Sequence, residues 1–331
     1  MIESGNDAPF ADDRIGEGDY SSAFRDKIVP FWSAGTSTFI QARDGLRLYT
    51  WHRLHPQPRA QILISHGYSE SSLKYRELAY TFFQRGYSVF TWDHRGHGLS
   101  DRVGPQKYSV DVIRFADYSD DLQSLIEILP LDSSLPTFVF AHSMGGAIAI
   151  DFMQKHPDRI QAAVLSSPML VPRLHGLPVK LVTWVARSLA FLHAPDKCTL
   201  GSERTAAEFW SFPFAGTRSR ARFDLFKKDT LTADLRLTGP TNRWIMTTFA
   251  SAARLLEPER MARLRVPLFV ATAGYDRLVR ADAIHEFCAR APNCESHHYA
   301  ESFHEIWNER DMIRNPYLDD VLSFYQRMEK K

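Results

Sequence analysis

The stretch Phe138–Ile148 reads F-V-F-A-H-S-M-G-G-A-I. An apolar strand ends at Ala141, and His142, Ser143 and Met144 lead into two glycines and an apolar helix. Strand, serine, helix is the order of a nucleophile elbow, G-x-S-x-G, with Ala141 in the first place. The chain must turn sharply there, so the residues flanking the serine have to be small. A methyl is the smallest addition to glycine. Ser143 then projects above the carboxyl edge of a sheet. The helix N-terminus behind it places partial positive charge near an anionic transition state. The bland alternative is a serine that only caps the helix; its place between a buried strand and a helix favours the nucleophile.

Outward from the elbow the pattern alternates. Thr38–Arg43 and Leu46–Leu54 flank Asp44-Gly45, a hairpin signal. Gln61–Ser65, Tyr87–Trp92, Thr137–Ala141, Ile160–Leu165, Leu268–Ala273 and Ser296–Ala300 read as strands. Helical periodicity marks Lys74–Arg85, Val110–Leu129, Met144–Lys155, Ala281–Arg290 and Asn315–Met328. An antiparallel start followed by repeated strand–helix units predicts an α/β fold: a mostly parallel central sheet with helices on both faces.

A serine nucleophile needs oxyanion donors, a general base and an acid that orients the base. Met144, just after the serine, offers one backbone N–H. Ser65-His66-Gly67-Tyr68 follows a buried strand, and the N–H of Tyr68 is the second candidate. His304, in Glu301–Ile306, follows the last strand and returns to the same sheet edge. Asp276, in A-G-Y-D-R-L-V, lies just past another strand, 28 residues before His304. Asp282 is read instead as first-turn helix chemistry. In Asp93-His94-Arg95-Gly96-His97-Gly98-Leu99-Ser100 the pair His94-x-x-His97 invites a metal reading. No acid or cysteine recurs at ligand spacing, so the loop is read as a buttress, with Asp93 and Arg95 binding backbone and each other.

Composition narrows the rest. The 331 residues carry 40 Lys+Arg against 39 Asp+Glu, which excludes a strongly basic nucleic-acid binder. Three cysteines, Cys198, Cys288 and Cys294, are too few for a disulfide scaffold and predict a reducing, cytoplasmic setting. No uncharged apolar run reaches ~18 residues, and the N-terminus lacks the pattern of a signal peptide. Residues 1–36 hold 3 basic and 7 acidic side chains and predict an extension, poorly ordered to about residue 20 and helical after it. Residues 168–258 hold 13 basic and 7 acidic side chains, a local net of +6.

Together, H-G-Y, D-H-R-G-H-G-L-S, A-H-S-M-G-G-A-I-A, A-G-Y-D-R-L-V and S-F-H-E-I resemble the α/β-hydrolase superfamily, in its monoacylglycerol lipase and lysophospholipase branch. Phe115–Leu122 and Gly239–Trp244 are similar to bacterial membrane-associated lysophospholipases. The resemblance spans roughly residues 30–328. It implies a core of 37–167 and 259–331, with 168–258 as a helical cap inserted before the last strands. It implies a serine hydrolase that cleaves the acyl ester of a single-acyl glycerolipid, most of all a lysophospholipid, with monoacylglycerol lipase or broad carboxylesterase as the alternative. A non-catalytic lipid-binding module is the remote one. No cofactor, metal or nucleic-acid partner is expected. Within the cap, the apolar stretch Leu177–Leu192 reads as an acyl-tunnel wall, a membrane-touching helix or a helix buried on the core. Arg218, Arg220, Arg222, Lys227 and Lys228 read as a phosphate-facing patch, giving peripheral membrane contact, or as a solvated face paired with Asp224 and Asp229.

Overall fold

The computed structural model describes residues 14–173, 177, 179–191, 195–199 and 210–330. Eight strands form one sheet in the order β1 (Thr36–Gln41), β2 (Arg47–Arg53), β4 (Tyr87–Trp92), β3 (Ala60–Ser65), β6 (Thr137–His142), β7 (Ala162–Ser166), β9 (Leu268–Ala273) and β10 (Cys294–Tyr299). The β1–β2 and β2–β4 pairs are antiparallel, and every later pair is parallel. The hairpin closes through Asp44-Gly45 as expected, with Gly45 at φ 88°. Two short strands, β5 (Ser109–Val110) and β8 (Gly239–Pro240), pair apart from this sheet.

Strands β3, β4, β6, β7 and β9 are buried on both faces, which is why they read as continuous apolar runs rather than alternating ones, whereas the edge strand β10 is polar and largely exposed. One face packs Ala116–Ile128, Met144–Lys155 and Ala281–Arg290 around Leu63, Val139, Leu165 and Val270. The other packs Arg76–Gln84 and Asp311–Glu329 around Ile62, Phe138, Val164 and Phe269. The chain thus has the α/β fold its sequence predicts. Between β7 and β9 lie the helices Val179–Phe191, Arg220–Thr232, Asn242–Leu255 and Pro258–Met261.

Several local expectations change. The helix expected from Val110 begins at Ala116. Val112 and Phe115 meet the apolar spacing by burial in the core, while Val110 pairs with Pro240. The last helix starts four residues earlier than expected, at Asp311, and holds Pro316 inside it. Residues 1–13 lie outside the described residues, but the expected disorder does not extend to residue 20. Arg14 pairs with Asp319 at 2.6 Å, and Ile15, Tyr20 and Phe24 are buried. Cys288 and Cys294, expected as thiols, form a disulfide with Cα atoms 5.4 Å apart, and Cys198 stays free. Three cysteines make no scaffold, but six residues of separation between a helix end and the next strand suffice to join two of them.

The basic run is corrected at Arg222, while the exposed Arg220–Asp224 pair fits the solvated-face reading. Arg222 is buried, its guanidinium on Glu77 (2.9 and 3.1 Å), Asp311 (2.8 Å) and the backbone oxygens of Glu309 and Ile15. Glu77 is a buried carboxylate that needs a counter-ion, and Arg314 supplies a second at 3.1 Å. Arg218 lies over the rings of Tyr275 and Phe303, Arg220 pairs with Asp224 at 2.6 Å, and Lys227 donates to the Trp210 carbonyl. Asp229 pairs with Arg76.

Candidate active site

Ser143 joins β6 to the following helix at φ 52° and ψ −116°, a conformation rare outside glycine. Its neighbours hold it there. The Ser143 N–H donates to Ser166 O (3.0 Å), and its carbonyl accepts from Met169 N–H (2.9 Å) and Gly146 N–H (2.9 Å). A Cβ on Gly145 would collide with the carbonyl oxygens of Ser65 and His66, so only glycine lets this helix sit against the end of β3. Met144 opens the helix, and its N–H is one of the groups that have no partner within the helix.

The structure brings His304 and Asp276 together at the same sheet edge. His304 Nδ1–H donates to Asp276 Oδ2 at 2.7 Å, and Asp276 Oδ1 accepts from the N–H groups of Leu278 (2.8 Å) and Val279 (3.0 Å). His304 Nε2 is buried and has no hydrogen-bond partner among the described residues, Ser143 Oγ included. Burial opposes charge on the imidazole, but Asp276 outweighs it and the His304 pKa is raised. Burial pushes the Asp276 carboxyl up, and His304 with the two N–H groups more than reverses this, so its pKa is lowered. Asp282 pairs instead with Arg280 at the surface.

The loop after β3 is gripped on both sides of one residue. Gly67 N–H donates to Glu70 Oε2 (2.7 Å), and Gly67 O accepts from His66 Nδ1 (2.8 Å). His66 Nε2 in turn accepts from the His94 N–H (2.9 Å). In a trans peptide the N–H points opposite to the carbonyl, so holding Gly67 O toward His66 turns the Tyr68 N–H the other way. Sequence reasoning assigned no role to His66; its place beside Gly67 was the available signal.

The buttress loop behaves as expected in part. Asp93 accepts from the N–H groups of Ser72 (2.6 Å) and Leu99 (2.7 Å). Arg95 pairs with Asp121 and Asp44 rather than with Asp93. Both ring nitrogens of His94 are engaged, by Trp92 Nε1 and Ser65 Oγ, which leaves no lone pair for a metal. Burial pushes the pKa values of His66, His94 and His97 down. His142, beside the serine, is likewise held neutral by burial, with its pKa lowered to about 3.

A cavity of about 210 Å³ opens over Ser143 and His304, walled by Met169, Leu237, Trp244, Ile245 and Phe249. Trp244 packs on Tyr68 with ring centroids 4.9 Å apart. Sequence reasoning missed Arg173, which lines this cavity. Its backbone N–H donates to Leu278 O (2.7 Å) and its Nε to Val279 O (3.1 Å), which ties it to the loop of Asp276. No motif surrounds it, so the sequence carried no signal.

The family model Hydrolase_4, described as serine aminopeptidase, S33, matches residues 56–311. The chain is 28% identical over 305 residues to a probable lysophospholipase L2 of Haemophilus influenzae, covering 90% of this chain and 94% of that one. It is 30% identical over 284 residues to lysophospholipase L2 of Escherichia coli K12, covering 80% of each. A soluble variant of monoglyceride lipase from Saccharomyces cerevisiae, solved with a substrate analogue, superposes with a TM-score of 0.70 at 20% identity, over 89% of this chain and 97% of that one. With a serine at the elbow of such a sheet and a model match across most of its length, this chain belongs to the serine aminopeptidase S33 family of α/β hydrolases.

Proposed function

We propose that the chain is a serine carboxylic ester hydrolase that releases the fatty acid of a single-acyl glycerolipid, with lysophospholipid as the preferred substrate. The observation that carries the reading is the unpartnered, buried His304 Nε2 on the floor of an apolar cavity that Ser143 also lines. Ser143 Oγ attacks the ester carbonyl while His304 Nε2 takes its proton. Asp276 holds the imidazole in the tautomer that leaves Nε2 open and stabilises the imidazolium. The N–H groups of Tyr68 and Met144 receive the oxyanion. His304 then protonates the leaving glycerol oxygen, and water, deprotonated by the same imidazole, releases the fatty acid from Ser143.

Arg173 supports the phosphate-bearing substrate. The two carboxylates that line the cavity, Glu70 and Glu305, share Lys74, whereas Arg173 has no ion pair among the described residues. A planar guanidinium fixed through Nε presents its remaining donors to a phosphodiester. A monoacylglycerol has no charge to offer it.

The helices between β7 and β9 act as a cap, and the cap meets the membrane. Leu177, Leu181, Trp184 and Phe191 recur at three, four and seven residues, and all are exposed, Trp184 to 65% and Phe191 to 84%. On the other side of the helix Val179–Phe191, which Leu177 precedes, Val182 and Ala186 pack into the core. No described helix is long and apolar enough to cross a membrane, so contact would be peripheral. This apolar ridge replaces the basic run as the contact surface.

The test is a substrate panel of lysophosphatidylglycerol, lysophosphatidylcholine and 1-monoacylglycerol, with fluorophosphonate labelling of wild type, Ser143→Ala and Arg173→Gln. Ser143→Ala should lose labelling and hydrolysis. Arg173→Gln should lower kcat/KM for the phosphate-bearing lipids about tenfold, the size of one charge-assisted hydrogen bond, and leave monoacylglycerol unchanged. Labelling that persists in Ser143→Ala refutes the nucleophile. Preference for monoacylglycerol by the wild type makes the chain a monoacylglycerol lipase.

A further inference from the structure

Lys74 lies behind the cavity wall, fully enclosed, with its ammonium 2.5 Å from Glu70 Oε1 and 2.7 Å from Glu305 Oε1. All three side chains are buried. Each carboxylate is tied to a different part of the catalytic apparatus. Glu70 accepts the Gly67 N–H at 2.7 Å and the Tyr75 hydroxyl at 2.5 Å, so it fixes the loop that carries the Tyr68 N–H. Glu305 follows His304 in the chain. Its second oxygen accepts from Asn308 Nδ2 (2.8 Å), and its own N–H donates to Gly216 O (2.7 Å). Lys74 also sits over the ring of Phe226, 4.6 Å from its centroid, on a helix of the region between β7 and β9.

Stability alone is a poor reason for this arrangement. Three charges taken out of water cost more desolvation than their mutual attraction reliably returns, and an apolar packing of the same volume would serve a core as well. What an apolar packing cannot do is hold a peptide N–H in place through a carboxylate while linking that carboxylate to the loop of the general base.

We propose that Lys74 is a positioning residue that locks the oxyanion loop to the His304 loop through Glu70 and Glu305. Its ammonium also limits the negative charge beneath His304. With Lys74 present, the Glu70–Lys74–Glu305 group carries a net charge of −1; without it, −2. The charged and titratable groups acting on His304 are Asp276, Glu305 and Glu70, with the His142 ring tilted against it at 4.7 Å between centroids. His142 is neutral through the working range, so the carboxylates set the field. Glu305 and Glu70 both push the His304 pKa up, after Asp276. Removal of Lys74 should therefore raise the proton affinity of His304 further and loosen the Tyr68 N–H. The inference rests on Ser143, His304 and Tyr68 acting as proposed above.

The test uses the full-length protein and a short soluble ester, with kcat and KM followed against pH for Lys74→Met, Lys74→Arg, Glu305→Gln and Lys74→Met/Glu305→Gln. Lys74→Met should lose about 10²–10³ in kcat, the scale of one misplaced oxyanion donor, with KM little changed. Its acid limb should move to higher pH, and adding Glu305→Gln should move it back. Lys74→Arg should recover much of the activity. A folded Lys74→Met whose acid limb stays at the wild-type position overturns the proposal. If Lys74→Met does not fold, Glu305→Gln alone must shift the limb to lower pH, and an unmoved limb there is equally decisive. Fluorophosphonate labelling separates the two levels: label retained in Ser143→Ala defeats the nucleophile, whereas label lost there with unmoved acid limbs defeats only the role of Lys74.

Discussion

His304 Nδ1 and Asp276 Oδ2 lie 2.7 Å apart, both enclosed, with the other Asp276 oxygen held by two backbone N–H groups. The carboxylate cannot swing away, and the imidazole is confined to the tautomer that leaves Nε2 open. Asp276→Asn keeps the shape and removes that preference. Its kcat should fall by about 10⁴, as in other triads, while Asp282→Asn stays near wild type. Steady-state hydrolysis of a soluble ester checks both; an inactive Asp282→Asn beside an active Asp276→Asn would exchange their roles.

The same pair sets the pH dependence. Under the proposed mechanism a protonated His304 cannot accept the serine proton, and Asp276 raises its pKa above the ordinary imidazole value of about 6.5. Activity should be lost as pH falls through that raised value and reach its plateau above it. His142, at about 3, adds no limb near neutrality. The sign for stability differs. The raised His304 contributes below the unfolded imidazole value and its contribution is lost as pH rises through the folded one. Asp276, with a lowered pKa, contributes above its unfolded value and its contribution is lost on acidification. A kcat/KM profile whose acid midpoint lies below the ordinary imidazole value contradicts the arrangement.

Arg222→Ala strips one of two guanidinium partners from the buried Glu77. Breaking a buried pair from one side costs about 3–5 kcal/mol, and urea denaturation should show a loss of that order. A change within about 0.5 kcal/mol would mean that the run behaves as an ordinary surface.

On the reading proposed above, the exposed ridge of Leu181, Trp184 and Phe191 predicts vesicle binding that is apolar in origin. Trp184→Ser with Phe191→Ser should weaken binding to phospholipid vesicles at least tenfold, since each side chain contributes up to about 1.5–3 kcal/mol when buried. Hydrolysis of a short soluble ester should not change. Sedimentation with vesicles at low and high salt is the readout. Binding that survives the double substitution, or that vanishes in high salt, would return the contact to the basic residues.

The amino-acid sequence by itself determined the α/β sheet, the hairpin, the elbow and the loops that bring Ser143, Asp276 and His304 to one edge. Strand and helix periods, glycine turns and the demand for small residues around Ser143 act over a few positions, so they are legible locally. Tertiary structure alone decided where the charges go. Arg222 reads as surface from its neighbours in sequence, but its carboxylate is 145 positions away, and burial of Glu77 draws it inward. Lys74 falls within an expected helix, and nothing near it announces that Glu305 will close the other side of its ammonium. Ile15 and Tyr20 lie in a polar, acidic stretch but find an apolar shelf on distant helices. The free energy of a buried charge or an isolated apolar side chain depends on what surrounds it in space, and separations of hundreds of residues leave no periodic trace in the chain.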